Sequence, residues 1–311
     1  MMGKNSKIYI AGHNGLVGSA IVRELKKSGY SNIITRTREE LDLTSQSAVE
    51  DFFAGEKLEY VFLAAAKVGG IMANDTYPAD FLKDNILIQT NITDSAYKND
   101  VEKLLFLGSS CIYPKNSPQP IKEEYLLTGE LESTNKAYAI AKITGIIMCQ
   151  SYNKQYGTNF ISAMPTNLYG ENDNFDLETS HVIPAMVRKF DDAKNSGAKE
   201  VVLWGTGNPK REFLHVDDLA NACVFLMNNY DDSEIINVGT GRDLSISELA
   251  ELIKKTVGYE GNIVWDKSKP DGTLRKLLDV SRIQRLGWNS EISLPEGIKQ
   301  TYEWYKNNKR S

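Results

Sequence analysis

The chain has 311 residues, 41% hydrophobic and 25% charged, with a formal net charge of −5. That is ordinary globular composition, long enough for one large domain or a core domain with a smaller partner. The acidic balance leaves no global basic footprint for nucleic acid, and no window of about eighteen uncharged apolar residues exists to span a membrane, so neither is an expected partner.

Three widely separated cysteines, Cys111, Cys149 and Cys223, match no zinc spacing, so no metal is expected. Their odd count fits a reducing compartment. The opening "MMGKNSKIYIAGHNG" has no apolar leader core, which points to a soluble, cytoplasmic protein.

In chain order, "KIYIAG" reads as a strand and "LVGSAIVRELKKSGY" as a helix with Gly29 near its end. "NIITRT" is a second strand, "SAVEDFFAGEKL" a helix and "YVFLAAA" a third strand. "ADFLKDNILIQTNITDSAYKND" is a long helix and "KLLFLGSS" a fourth strand. "STNKAYAIAKITGIIMCQSYNKQYG" is helical, and "NFISAMPTNLYG" is a fifth strand running into a loop. This alternation predicts an α/β fold, a Rossmann-type doubly wound parallel sheet covered on both faces. After about Pro165 the rhythm breaks. We expect a nucleotide-binding domain over residues 1–165, with elements near 212–242 packing back on it. Residues 166–311 would form mainly a smaller substrate lobe.

"GHNGLVG" places Gly12, Gly15 and Gly18 between the first strand and the first helix. There a dinucleotide fold needs a tight turn, close backbone approach and a helix N-terminus facing the pyrophosphate. At the end of the second strand, "TRTREELDL" puts Arg36 and Arg38 ahead of any acid. Arginine here suits a 2′-phosphate rather than a free ribose hydroxyl, so NADP(H) is the expected cofactor. In "NKAYAIAKITG", Tyr138 and Lys142 are four apart and share a helix face. A nearby ammonium would favour the phenolate and lower the tyrosine pKa. Ser109, ending the fourth strand, can bind the same carbonyl oxygen. Tyr-x-x-x-Lys alone is common on helices; with the glycine loop, paired arginines and strand-end serine it points to a carbonyl reductase.

With these motifs the chain resembles the extended short-chain dehydrogenase/reductase family, and "REFLHVDDLA" and "INVGTG" fit that family's substrate-lobe motifs. "GSSCIYP", "MPTNLYGENDNFDLETSHVIPAMVRKF" and "LWGTGNPKREFLHVDD" look like its members that epimerise and reduce a GDP-linked 4-keto-6-deoxy sugar. One departure is Asn14, where that group often has a basic residue. The resemblance implies a cofactor site of Gly12, His13, Asn14, Gly15, Leu16, Val17, Gly18, Arg36, Arg38, Asp42, Leu43, Leu107, Gly108, Lys142, Pro165, Asn167, Leu168 and His181. It implies a substrate site of Asn167, Lys189, Trp204, Arg211 and Asp271, and a homodimer built on the long helices near 80–100 and 135–155.

A ketone at C4 of a hexose acidifies the protons on C3 and C5, and inverting those centres needs a base and an acid on opposite faces of the ring. Cys111 lies two residues after Ser109, so in an extended segment both would point to one side. By the resemblance, Cys111 is the base and His181, in "LETSHVIP", the acid. His13 and His215 read as structural, and Cys149 and Cys223 as packed hydrophobes. Two alternatives are a 4-keto reductase of another GDP-sugar, such as a 6-deoxy-heptose or dideoxy-hexose, and a redox-inactive nucleotide-sugar binding protein.

Overall fold

The computed structural model describes residues 1–269 and 271–308, the side chains of Ile71 and Met72 apart. The first half alternates as the sequence predicts. Its elements are β1 (Ile8–Ala11), α1 (Leu16–Lys27), β2 (Ile33–Ile34), α2 (Gln46–Glu56) and β3 (Tyr60–Leu63). Then come α3 (Ile71–Thr76), α4 (Pro78–Lys98), β4 (Lys103–Leu107), α5 (Lys136–Tyr156) and β5 (Phe160–Pro165). β1, β3, β4 and β5 are buried along their whole length, as strands covered on both faces must be. The expected second strand shrinks to two residues, because Arg36 leaves the ladder to pair with Glu56 of α2.

The second half comprises β6 (Asn167–Tyr169), α6 (Val182–Ser196), β7 (Glu200–Trp204), β8 (Lys210–His215), α7 (Val216–Asn229) and β9 (Ile236–Val238). It continues with β10 (Asp243–Ser245), α8 (Ile246–Val257), β11 (Asn262–Asp266), β12 (Arg275–Lys276), α9 (Ser281–Arg285) and α10 (Leu294–Asn308).

The main sheet has the order β2-β1-β3-β4-β5-β9, with every neighbouring pair parallel. α1 packs on α7, and α4 on α2 and α5. β9 and α7 thus return from the second half to the first core, where Val216, Leu219, Cys223, Ile236 and Val238 are buried. A second core gathers Tyr169, Val187, Phe190, Phe213, Ile253 and Ile298 under a smaller sheet, β10-β8-β12 with β6 also on β8. In an open parallel sheet, ligands bind beyond the carboxyl ends of the strands. Ser109 follows β4 and Asn167 follows β5 at that end, facing the smaller sheet.

Candidate active site

The glycine loop is shaped by steric necessity. Gly12 has φ +85°, and a Cβ there would lie 2.8 Å from the Ala65 backbone. A Cβ on Gly18 would lie 2.0 Å from the Gly12 carbonyl oxygen. Helix α1 is N-capped by Gly15 without a side-chain hydrogen bond, and its first turn carries no acid. Its first N–H groups and positive dipole end therefore have no anion of their own. This cradle fits a dinucleotide pyrophosphate. Among the described residues His13 Nδ1 is buried without a hydrogen-bond partner, and Asn14 is exposed beside it.

The two arginines differ. Arg36 donates to Glu56 at 2.5 Å and lies over the Phe52 ring, 5.3 Å from its centroid. Arg38 is exposed, and its charge helps hold the Asp42 carboxyl below the usual range, after the hydrogen bonds from Thr44. Leu43 packs against the core, and its carbonyl accepts from Asn91 at 2.9 Å.

Ser109 N-caps a 3-10 turn over Ser110–Ile112, and its hydroxyl oxygen accepts from the Cys111 N–H at 3.3 Å. The expected extended segment is therefore a turn; the cap, not strand alternation, brings serine and cysteine together. Tyr138 and Lys142 project from α5 into the same place. Burial and then the Cys111 charge raise the Tyr138 phenol far above its ordinary value. The expected lowering by Lys142 is absent: its ammonium donates to the Leu107 carbonyl at 2.8 Å and lies 5.8 Å from the Tyr138 ring centroid. Burial brings Lys142 down to about 8, opposed by Cys111. A neutral phenol is a proton donor, which is what a carbonyl reduction needs.

Burial also raises the Cys111 thiol; the charges of Lys276, then the Ser109 hydrogen bond, then Lys142 oppose it. His181 N-caps α6, and the protein packed around its ring, then the Lys276 charge, push its pKa down. The loop before it is tied to the segment before α3 by the Gly70 N–H, which donates to the Thr179 carbonyl at 3.0 Å. Cys149 and Cys223 are fully buried in helices. His215 is 1% exposed and caps α7, accepting from the Asp217 N–H.

On the smaller sheet Asn167 donates to the Glu212 carbonyl at 2.7 Å, beside Pro165 and Leu168. Trp204 is 55% exposed, which excludes core packing for this ring. The ammonium groups of Lys189 and Lys269 approach it, at 5.8 and 5.3 Å from a ring centroid. Arg211 is lowered by burial against the opposing charge of Asp271. Asp271 accepts from the Thr206 N–H at 2.6 Å and its hydroxyl at 2.7 Å, so it holds the turn after Trp204.

Sequence reasoning missed two groups. Lys276 lines one cleft with Cys111. Glu212 is fully buried and accepts from the N–H groups of Thr240, Gly241 and Leu278 at 2.6, 2.7 and 3.0 Å. A lone acid inside the apolar run of "EFLH" was a usable signal, since a buried carboxylate needs donors. Lys276, in "RKLLDV", carried none.

The family model of the NAD dependent epimerase/dehydratase family matches residues 8–239. GDP-L-fucose synthase 1 of Arabidopsis thaliana is 60% identical over 99% of this chain and 95% of its own. GDP-L-fucose synthase of Escherichia coli is 56% identical over 97% of each. Among solved structures, a GDP-mannoheptose C4 reductase from Campylobacter jejuni with NADP bound has a TM-score of 0.90 at 44% identity, covering 98% of this chain and 100% of that one. With the glycine cradle, the parallel sheet and the Ser109, Tyr138 and Lys142 cluster, these likenesses show that the chain belongs to the NAD dependent epimerase/dehydratase family, the extended short-chain dehydrogenase/reductases.

Proposed function

We propose that the protein converts GDP-4-keto-6-deoxy-mannose to GDP-L-fucose, epimerising C3 and C5 and then reducing the C4 ketone. The observation that carries this is the meeting of Cys111 with Ser109, Tyr138 and Lys142, with the Lys276 charge bearing on both Cys111 and His181. Residues 1–165, with β9 and α7, hold NADP(H), and the rest mainly holds the GDP-sugar. The glycine loop and the α1 N-terminus take the pyrophosphate, and Arg38, with Arg36 when released from Glu56, takes the 2′-phosphate. NADPH, when bound, supplies the hydride that reduces C4.

The chain's own residues handle protons. The Cys111 thiolate takes the C3 or C5 proton, and the electron pair moves into an enolate whose oxygen Ser109 and Tyr138 hold. His181 returns a proton to the opposite face, which inverts the centre. In reduction Tyr138 donates its phenolic proton to the C4 oxygen, and Lys142 offsets the negative charge left on the tyrosine. Lys189 and Arg211 suit the substrate diphosphate. Trp204 offers a flat face for the base or sugar, and Asp271 fixes the turn that presents it.

The test is incubation with NADPH and candidate GDP-4-keto sugars, with product stereochemistry assigned by NMR; a product reduced without inversion overturns the epimerase part. The likeness to a heptose C4 reductase favours one second reading, C4 reduction of another GDP-sugar. Turnover of a 6-deoxy-heptose in preference to the hexose would establish it.

The specificity constant should favour NADPH over NADH. Arg38→Ala should raise the KM for NADPH far more than for NADH, since only NADPH loses a phosphate partner. Equal specificity constants in the unaltered enzyme would refute the 2′-phosphate reading.

A homodimer through α4 and α5 is supported by an apolar outer face: Leu87, Ile140 and Ile147 are 37, 39 and 41% exposed on two helices that pack together. Ile140 and Ile147 are seven apart and lie on one stripe. Light scattering at micromolar concentration should give twice the chain's mass, and Ile147→Glu should halve it; a monomeric unaltered protein would contradict the assignment. Three free thiols suit a reducing cytoplasm.

A further inference from the structure

We propose that Lys276 is a positioning residue of the epimerase pair, its ammonium fixed in the Cys111 cleft as the positive charge against which the thiolate forms. The proposal deepens the epimerase reading and rests on it for its function.

The geometry is a built one. After Cys111 the chain runs to Ile121, which forms a parallel bridge with Leu278. The Ile121 N–H donates to the Leu277 carbonyl at 2.7 Å, and the Asp279 N–H to the Ile121 carbonyl at 2.8 Å. The Leu277 N–H donates to the Gln119 side chain at 2.9 Å. Asn237, fully buried, clasps both segments: it accepts from the Tyr113 hydroxyl and donates to the Ile121 and Asp279 carbonyls. On its other edge β12 pairs Lys276 with Arg211 of β8, and the Glu212 carboxylate accepts from Leu278 two residues on. The backbone at Lys276 and just after it is thus held on both sides, and Lys276 lines the same cleft as Cys111.

The charges around it define its effect. Burial lowers the Lys276 ammonium from its ordinary value; of the charges acting on it, Cys111 and Glu212 hold the proton on and Arg211 opposes them. Cys111 is faced by Ser109 on its turn, Tyr138 and Lys142 on α5, and Lys276 on β12; the same cleft is lined by Arg275, which pairs with Asp243, and by Lys115 and Glu132, which pair with each other. Glu212 spends its oxygens on three backbone N–H groups, and Lys142 donates to Leu107. Lys276 therefore has no carboxylate neutralising it at hydrogen-bond distance among the described residues, and its field falls on the thiol. The same charge bears on His181 and makes its imidazolium the stronger acid. One lysine thereby favours both halves of the proton transfer, thiolate on one side and a ready donor on the other.

The test is the pH dependence of Cys111 alkylation by iodoacetamide, read by mass spectrometry in the full chain; Cys149 and Cys223 are fully buried, and Cys111→Ser sets the background. Lys276→Met should raise the apparent pKa of alkylation by about one unit or more and slow it about tenfold at neutral pH. Lys276→Arg should restore the unaltered profile, and Lys142→Met should shift it less than Lys276→Met does. If Lys276→Met fails to fold, Lys276→Gln gives the same reading. An unchanged profile in the folded charge-removing variant overturns the proposal. A shifted profile in a protein whose unaltered form exchanges no C3 or C5 protons would leave Lys276 beside the thiol and remove the epimerase reading instead.

Discussion

Tyr138→Phe is expected to lower NADPH oxidation by about 10²- to 10⁴-fold, the usual contribution of a positioned general acid. Solvent-deuterium exchange at C3 and C5 should continue. Hydride arrival at C4 leaves an alkoxide that needs the phenolic proton, and burial keeps that proton on Tyr138. Exchange retains Cys111, His181 and an enolate oxygen still held by Ser109 when the Tyr138 hydroxyl is gone. Cys111→Ser should do the reverse, slowing exchange by a comparable factor while the ketone is still reduced without inversion. His181→Asn should impair proton return and, because His181 caps α6 in the loop over the cleft, raise the substrate KM as well. Deuterium incorporation and NADPH oxidation, followed in parallel for each variant, separate the two chemistries. Exchange at the unaltered rate in Cys111→Ser would reduce the cysteine to packing.

The second large effect lies in the cofactor loop. Gly18→Ala places a methyl 2.0 Å from the Gly12 carbonyl oxygen, which is backbone and cannot swing aside. Relief by moving the loop should cost about 1–3 kcal/mol, on the scale of overpacking a core, and spoil the cradle that the pyrophosphate needs. NADPH affinity by calorimetry should fall about tenfold to a hundredfold, since each 1.4 kcal/mol is a factor of ten, with a lower Tm. Gly15→Ala is the control for folding, because its Cβ would lie 3.5 Å from the Gly12 oxygen, an ordinary contact, and its φ is −81°. Its Tm should stay near that of the unaltered protein. Equal Tm losses in the two variants would contradict the steric argument.

The parallel-sheet architecture was legible because the strands and longer helices of the first half announce themselves in a local period, the short α3 excepted, and buried strands read as continuous apolar runs. The glycine loop and the Tyr138–Lys142 pair were legible for the same reason, as short spacings on one element. What escaped depends on pairing across the chain. The link between Ser109 and Cys111 was expected from an extended backbone, yet it comes from a side-chain cap on a 3-10 turn. Arg36 reads as a phosphate ligand, and its ion pair with Glu56, twenty residues on, carries no sequence signal. Asp271 reads as a substrate acceptor, and its bonds to Thr206, far off in sequence, could not be read there. Lys276 sits on a two-residue strand with no periodicity, and only its pairing with Arg211 on one edge and the Ile121–Leu278 bridge beyond it bring its charge to Cys111.

The two-function account rests on protons leaving and returning at C3 and C5 before C4 is reduced. The most direct measurement is one turnover series of the unaltered enzyme with NADPH and GDP-4-keto-6-deoxy-mannose in D₂O, with the product read by NMR. The account predicts GDP-L-fucose with deuterium at C3 and C5, both centres inverted, and the NADPH hydrogen at C4. A product reduced at C4 with protium and the original configuration at C3 and C5 would contradict it and leave a C4 reductase.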